Sequence, residues 1–229
     1  MADAFGQMLL DEAGLEVIER DDGFLDAHKT FYFEPVTRWP AGERRALRWV
    51  RGRALDVGVG AGRVALELQR RGRTVVGIDV SPGAVEVARQ RGVRDVRLLA
   101  LEDIDESLGH FDTAVLLGNC FGLFGSPTKA RRVLKRLRPL VDRIVAGSID
   151  PYAMHDPAYL AYQERNRERG RMSGHLRLRV RYRDLIGPWF DYLLVSPDEM
   201  AAVLEGTQWR IRRLLQQDGS RYYYVAVLE

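Results

Sequence analysis

Three glycines at alternate positions, Gly58, Gly60 and Gly62, follow the largely apolar run Ala54–Val57 and precede a stretch of helical apolar periodicity. The run reads as a short buried strand, and the glycines deny the chain regular structure until a helix begins near Ala61. A turn of this kind needs residues without Cβ, because the backbone adopts unusual φ/ψ and lets a ligand approach closely. The helix start that follows presents unpaired N–H groups to anything anionic. Asp56 narrows the reading further. A carboxylate at the mouth of the strand can take an ammonium group, which a loop built only for phosphate has no reason to supply.

Strand and helix patterns alternate after the loop. Val64, Ala65 and Leu68 give the first core helix an apolar face that Gly72 closes, and Thr74–Ile78 is a second buried strand ending in Asp79. Ser81 and Pro82 cap the next helix. Further strands are predicted over Val96–Leu101, Thr113–Leu117 and Ile144–Ile149, with a helix from about Pro127 to Leu137 whose basic residues form a solvated face. Such alternation implies α/β architecture: a doubly wound, mostly parallel sheet with ligands at the strand C-termini.

Residues 1–50 read as an appendage: a helix over Phe5–Leu10, a small hairpin turning at Asp22-Gly23, and a helix opened by Pro40. Phe31, Tyr32, Phe33 and Trp39 either pack this appendage on the core or, through Tyr32 or Phe33, cover a ligand above the glycine loop. The 229 residues, 46% of them apolar, suffice for one domain. One cysteine, Cys120, excludes an intrachain disulfide and a multi-cysteine zinc site. No secretory signal or membrane span is visible, so a soluble, cytoplasmic protein is expected. All basic residues except Lys29, Lys129 and Lys135 are arginine, at a net charge of only +3, which discounts arginine clusters as binding signals.

The chemistry belongs where the strands end. Asp79 is placed to accept both hydroxyls of a ribose, or else to cap the following helix. Main-chain groups at Leu101 and the carboxylate of Glu102 follow the third strand, where they can read an adenine edge or be plain loop residues. Asn119 stands at the end of the fourth strand, at the mouth of the cleft. Cys120 has no histidine nearby in sequence to activate it as a nucleophile.

Asp56-x-Gly58-x-Gly60-x-Gly62, Asp79 after the second strand and Phe111-Asp112 before the fourth resemble motifs of the class I S-adenosylmethionine-dependent methyltransferases. The resemblance covers about residues 40–149. It implies a Rossmann-like, seven-stranded sheet with an antiparallel last strand, for which Trp209–Leu215 and Tyr222–Leu228 are the final pair. It also implies S-adenosylmethionine as cofactor and S-adenosylhomocysteine as product. Asp56 would then meet the methionine ammonium, the Gly58–Gly62 backbone the methionine part, Asp79 the ribose, and Leu101 with Glu102 the adenine. Ala100 stands where many members carry an aspartate. The same loop suits a nicotinamide-dependent oxidoreductase less well, since Arg63 or Ala65 occupies the place of that fingerprint's third glycine.

What is added to the core must select the acceptor. Residues 150–196 read as an inserted lid or interface, dividing the core into 51–149 and 197–229; they hold a polar helix over Pro157–Arg169 and strands over Leu176–Tyr182 and Trp189–Val195. Alternation from Leu176 to Arg183 puts four arginines on one face, for solvent, a homodimer contact, an anionic substrate or nucleic acid. Tyr152 and His155, just past the fifth strand, are the candidates for a base or for orienting the acceptor, and no residue spacing suggests a metal. The expected function is methyl transfer to oxygen or nitrogen of a small molecule. The alternatives are an RNA or protein methyltransferase and a non-catalytic cofactor-binding protein; neither nucleic acid nor membrane is the expected partner.

Overall fold

The computed structural model describes residues 3–216 and 223–229. The chain opens with α1 (Ala4–Leu10), a hairpin of β1 (Leu15–Arg20) and β2 (Leu25–Lys29), and α2 (Ala41–Ala46). The alternating region follows as β3 (Ala54–Val57), α3 (Arg63–Arg70), β4 (Val75–Asp79), α4 (Pro82–Gln90), β5 (Val96–Leu98), β6 (Thr113–Leu116), α5 (Pro127–Leu137) and β7 (Ile144–Ile149). Then come α6 (Pro157–Glu168), β8 (His175–Tyr182), β9 (Leu185–Ile186), β10 (Phe190–Leu193), α7 (Pro197–Leu204), β11 (Ile211–Gln216) and β12 (Tyr223–Leu228).

Seven strands form the main sheet in the order β11-β12-β7-β6-β3-β4-β5. Strand β12 runs antiparallel to both β7 and β11, whereas β7, β6, β3, β4 and β5 are mutually parallel. Strand alternation gives the sheet two apolar faces. Leu55, Val57, Leu116 and Ala146 pack with Val133, Leu134 and Leu137 of α5 and Met200 and Val203 of α7. Ala54, Val115 and Val145 pack on the other side with Val64 and Leu68 of α3 and Val85 and Ala88 of α4. Since β3 leads outward to β4 on one side and is flanked by β6 on the other, a crevice lies between the ends of β3 and β6.

The edge strand β5 is shorter than its sequence suggests. The chain leaves the sheet after Leu98 and makes a 3-10 turn at Leu101–Asp103, which turns Leu101 into the core. The expected Trp209–Leu215 strand begins later, at Ile211, while Tyr222 lies outside the described residues.

A second, antiparallel sheet runs β10-β8-β1-β2, with β9 on β8. Reading 1–50 and 150–196 as separate segments missed this joining. Ile18 of the hairpin pairs with Val180 of the insert, a contact between strands far apart in sequence that no local periodicity encodes. The arginine face of β8 is largely neutralised by it. Arg179 bonds Glu19 (2.7 and 2.8 Å), Arg181 bonds the same carboxylate, and Arg177 meets Asp191 (3.2 Å). The polar helix α6 is anchored by hydrogen bonds: Tyr162 donates to Asp21 (2.6 Å), Gln163 to the Pro151 carbonyl (2.8 Å) and Asn166 to the His175 carbonyl (2.7 Å).

Helices α1 and α4 cross at two glycines, and the Asp3 carboxylate accepts from Gly6 N–H (2.8 Å), Gly83 N–H (2.9 Å) and the Ser81 hydroxyl (2.8 Å). A Cβ on Gly83 would sit 2.5 Å from Gly6 Cα, so the helices must separate to admit it. Gly83→Ala should therefore lower stability by about 1–3 kcal/mol, the usual cost of overpacking, in urea unfolding. A fully stable variant would show that this crossing is looser than its backbone contact implies.

Candidate functional site

The turn after β3 is held by the end of β4: the N–H groups of Gly58 and Val59 both donate to the Ile78 carbonyl at 2.9 Å. Gly58, Gly60 and Gly62 take φ values of 72°, 51° and 79°, the left-handed region that only glycine enters freely. At Gly62 a side chain would also collide with Val93, 2.6 Å from the added Cβ.

Asp56 is 3% exposed. The Ala65 N–H bonds its carboxylate and Arg63 lies within electrostatic reach, yet desolvation outweighs both and raises its pKa from 3.8 to about 7. Its Oδ2 is buried without a hydrogen-bond partner among the described residues. An orphaned carboxylate oxygen at a strand mouth suits an ammonium ligand, which supplies both the missing donor and the missing charge.

Asp79 ends β4, with Oδ2 accepting from Gly60 N–H (3.0 Å) and Oδ1 from Ser81 N–H (3.0 Å). Burial raises its pKa against those two bonds. Each oxygen keeps a lone pair, enough to accept two hydroxyls. The next residue, Val80, is 69% exposed and offers an apolar surface beside that carboxylate, a feature the sequence reading did not single out.

Across the crevice Asn119 adopts φ 67° and opens the short 3-10 turn Cys120–Phe124. Its carbonyl accepts from Tyr192 Oη (2.6 Å), while its side-chain Oδ1 is a second buried oxygen without a partner among the described residues. Cys120 faces the glycine turn, its Sγ 3.2 Å from a Cβ built on Gly58. Burial first, then Asp56 and Asp79, push its thiol pKa strongly upward, which removes any thiolate role.

Three further groups escaped the sequence. Glu43 of α2, 1% exposed, takes the Arg63 guanidinium (2.8 and 3.2 Å), the Gly118 N–H (2.9 Å) and the Tyr223 hydroxyl (2.7 Å). Arg63 also stacks on Trp39, 4.6 Å from the ring centroid. This fully bonded pair ties α2, the start of α3, β6 and β12 together behind the crevice. From the second sheet come Tyr192, against Gly122, and Glu16, which accepts from Tyr32 Oη (2.9 Å). Only the arrival of a first-turn acid after Pro40 hinted at Glu43 in sequence.

Of the two aromatics proposed to cover the loop, Tyr32 is the one that does. Its Cδ1 lies 3.6 Å from a Cβ built on Gly60, whereas Phe33 stacks with Arg91 (5.0 Å). Glu102 turns toward α5 and pairs with Lys129, and its carbonyl accepts from Arg136. Tyr152 donates to Glu199 of α7 (2.7 Å), on the α7 side of the insert. His155 lines a cavity of about 240 Å³ with Ile149, Met154 and Tyr159. Ile149 and Met154 pack against the cluster of Tyr162, Leu176 and Leu194, as does Tyr192, whose hydroxyl bonds the Asn119 carbonyl. Among the described residues no group of three or more His, Cys, Asp or Glu is placed to hold a metal, and no helix is long and apolar enough to cross a membrane.

The raised pKa of Asp56 has a defined effect on stability. The folded chain holds this proton up to about pH 7 and the unfolded chain loses it near 3.8, so stability falls as pH rises between those values. Asp56→Asn removes the titration. Urea unfolding should show the variant gaining on the wild type from pH 5 to pH 8, and a constant difference would mean that Asp56 does not bury a charge.

Residues 54–142 match a family model described as a methyltransferase domain. Magnesium-protoporphyrin O-methyltransferase of Rhodobacter capsulatus is 36% identical over 69 residues, which cover 28% of this chain and 31% of that protein. A methyltransferase from Bacteroides fragilis, crystallised with S-adenosyl-L-homocysteine, superposes with a TM-score of 0.80 at 28% identity, covering 99% of this chain and 92% of that one. The Burkholderia thailandensis 1,6-didemethyltoxoflavin-N1-methyltransferase shares the fold at a TM-score of 0.53 and 17% identity, over 84% of this chain and 80% of the other. Residues 54–142 thus carry a methyltransferase domain, and the sheet order, the Asp56–Gly62 turn and the likeness along nearly the whole chain agree with the architecture of the S-adenosylmethionine-dependent methyltransferase on which it superposes.

Proposed function

We propose that the chain transfers a methyl group from S-adenosylmethionine to an oxygen or nitrogen of a small-molecule acceptor. The observation that carries this reading is the pair of carboxylates on one glycine turn: Asp56 with its orphaned oxygen, and Asp79 bonded to Gly60 N–H. Asp56 takes the ammonium of the cofactor, the Gly58–Gly62 backbone lies along its methionine part, and Asp79 accepts the ribose hydroxyls. Val80 lies under the adenine, and the main chain at Leu101 reads its edge, since the Glu102 carboxylate is engaged by Lys129. Asn119 borders the methionine part from across the crevice.

The bound cofactor supplies an electrophilic methyl group, and the protein's part in an in-line displacement is to hold the acceptor close and collinear. The second sheet and α6 serve as the cap that excludes water. The acceptor enters by the cavity beside Ile149 and Met154, where His155 orients it or takes its proton, and Tyr152, bonded to Glu199, steadies the turn that carries His155. A small acceptor is supported by the size of that cavity, about 240 Å³. The pairing of Arg177, Arg179 and Arg181 with acids speaks against RNA, which needs unpaired positive charge and exposed aromatics.

Incubating the protein and methyl-labelled cofactor with a fractionated extract tests the acceptor class. Label should enter the low-molecular-mass fraction; label confined to RNA or protein would overturn the small-molecule assignment. Asp79→Asn should weaken S-adenosylhomocysteine binding by about 1.5–3 kcal/mol, the value of a hydrogen bond to a charged group. Unchanged affinity in calorimetry would remove Asp79 from the ribose.

A further inference from the structure

Glu16 is a buried carboxylate, 6% exposed, that the proposed roles leave unused. It sits on β1, in the cap, and both its polar contacts fall on Oε2: Tyr32 Oη donates to it at 2.9 Å and His28 Nε2 lies 3.2 Å away. Burying a carboxylate costs free energy unless its surroundings compensate. His28 is only a partial answer, because its side chain is 47% exposed and solvent screens its charge. The inner partner is Tyr32, whose ring lies against Gly60 of the cofactor turn. Tyr32 and Tyr192 lie within electrostatic reach of each other and of both Cys120 and Glu16, so this group bridges cap and core beside the glycine turn. A phenol that donates its proton to a carboxylate has its oxygen lone pairs made more negative. Those lone pairs point away from Glu16.

We propose that Glu16, acting through the hydroxyl of Tyr32, is the counter-charge for the cofactor's sulfonium and sets the preference of this site for charged cofactor over neutral product. The inference rests on the assignment of S-adenosylmethionine above. Transfer of the methyl group turns the sulfonium into an uncharged thioether, and no other charge in the cofactor changes. A negative potential at that atom therefore favours the methylated form and promotes release of the product. The direct partners of Asp56 and Asp79, the ammonium and the ribose, are the same in both molecules. Glu16 and Tyr32 are thus specificity and positioning residues, and neither needs to exchange a proton with the acceptor.

Calorimetric titration of the full chain with S-adenosylmethionine and with S-adenosylhomocysteine tests this without an acceptor. Glu16→Gln should weaken binding of the charged cofactor about ten-fold and leave the product's affinity within about two-fold, so that the ratio of the two constants shifts. Tyr32→Phe keeps the ring over Gly60 and removes the hydroxyl, and should shift the ratio in the same direction. Retained product binding shows in each case that the variant is folded. Equal losses for both ligands, or an unchanged ratio in both variants, would overturn the proposal in favour of a purely structural contact. Failure of the wild type to bind either ligand would overturn the cofactor assignment itself and this inference with it.

Discussion

The bond from Gly60 N–H to Asp79 Oδ2 is the contact on which the site depends. It fixes a turn of three left-handed glycines to the end of the neighbouring strand, and so sets the two carboxylates of the cleft at a constant separation. Neither half of the arrangement stands alone. A side chain at Gly58 would meet Leu123 at 2.9 Å, and without the acid at position 79 the Gly60 N–H would be left without this acceptor. Preorganisation here means that backbone donors and carboxylates are held by covalent geometry and short-range sterics, with little left to order when a ligand arrives.

Around this turn the protein uses buried charge as a fastener. Glu43 gathers donors from α3, β6 and β12 behind the crevice, and the half-buried Asp3 staples α1 to α4. Such pairs gain little over well-packed apolar groups but are costly to leave half-made, so they favour one arrangement of elements over its neighbours. Asp56 differs from these: its Oδ2 is the one carboxylate oxygen buried without a hydrogen-bond partner among the described residues. That contrast sets it apart from the scaffold acids more clearly than exposure does.

The core was legible because its signals are local. Strand alternation, the glycine turn, the Ser81-Pro82 helix start and the helical stretch from Pro127 each follow from a few consecutive residues, and they placed β3, β4, α4, β6, α5 and β7 to within a residue or two. The cap was not legible in the same way. Its strands were visible one by one, but the pairing of Ile18 with Val180 depends on contacts between distant segments. The basic alternation on β8 read as an open charged face because Glu19 is remote in sequence from Arg179 and Arg181. Glu16, Glu43 and Tyr192 were invisible as site residues for the same reason: an isolated acid or tyrosine acquires meaning only from what the fold brings against it.

The central claim is that the turn from Asp56 to Gly62 binds S-adenosylmethionine rather than a dinucleotide. Calorimetric titration of the purified chain with S-adenosylhomocysteine and, separately, with NADH addresses it most directly. The account predicts a micromolar dissociation constant for the former, on the order of −8 kcal/mol, and no measurable heat of binding for the latter. Binding of NADH with none of S-adenosylhomocysteine would contradict it.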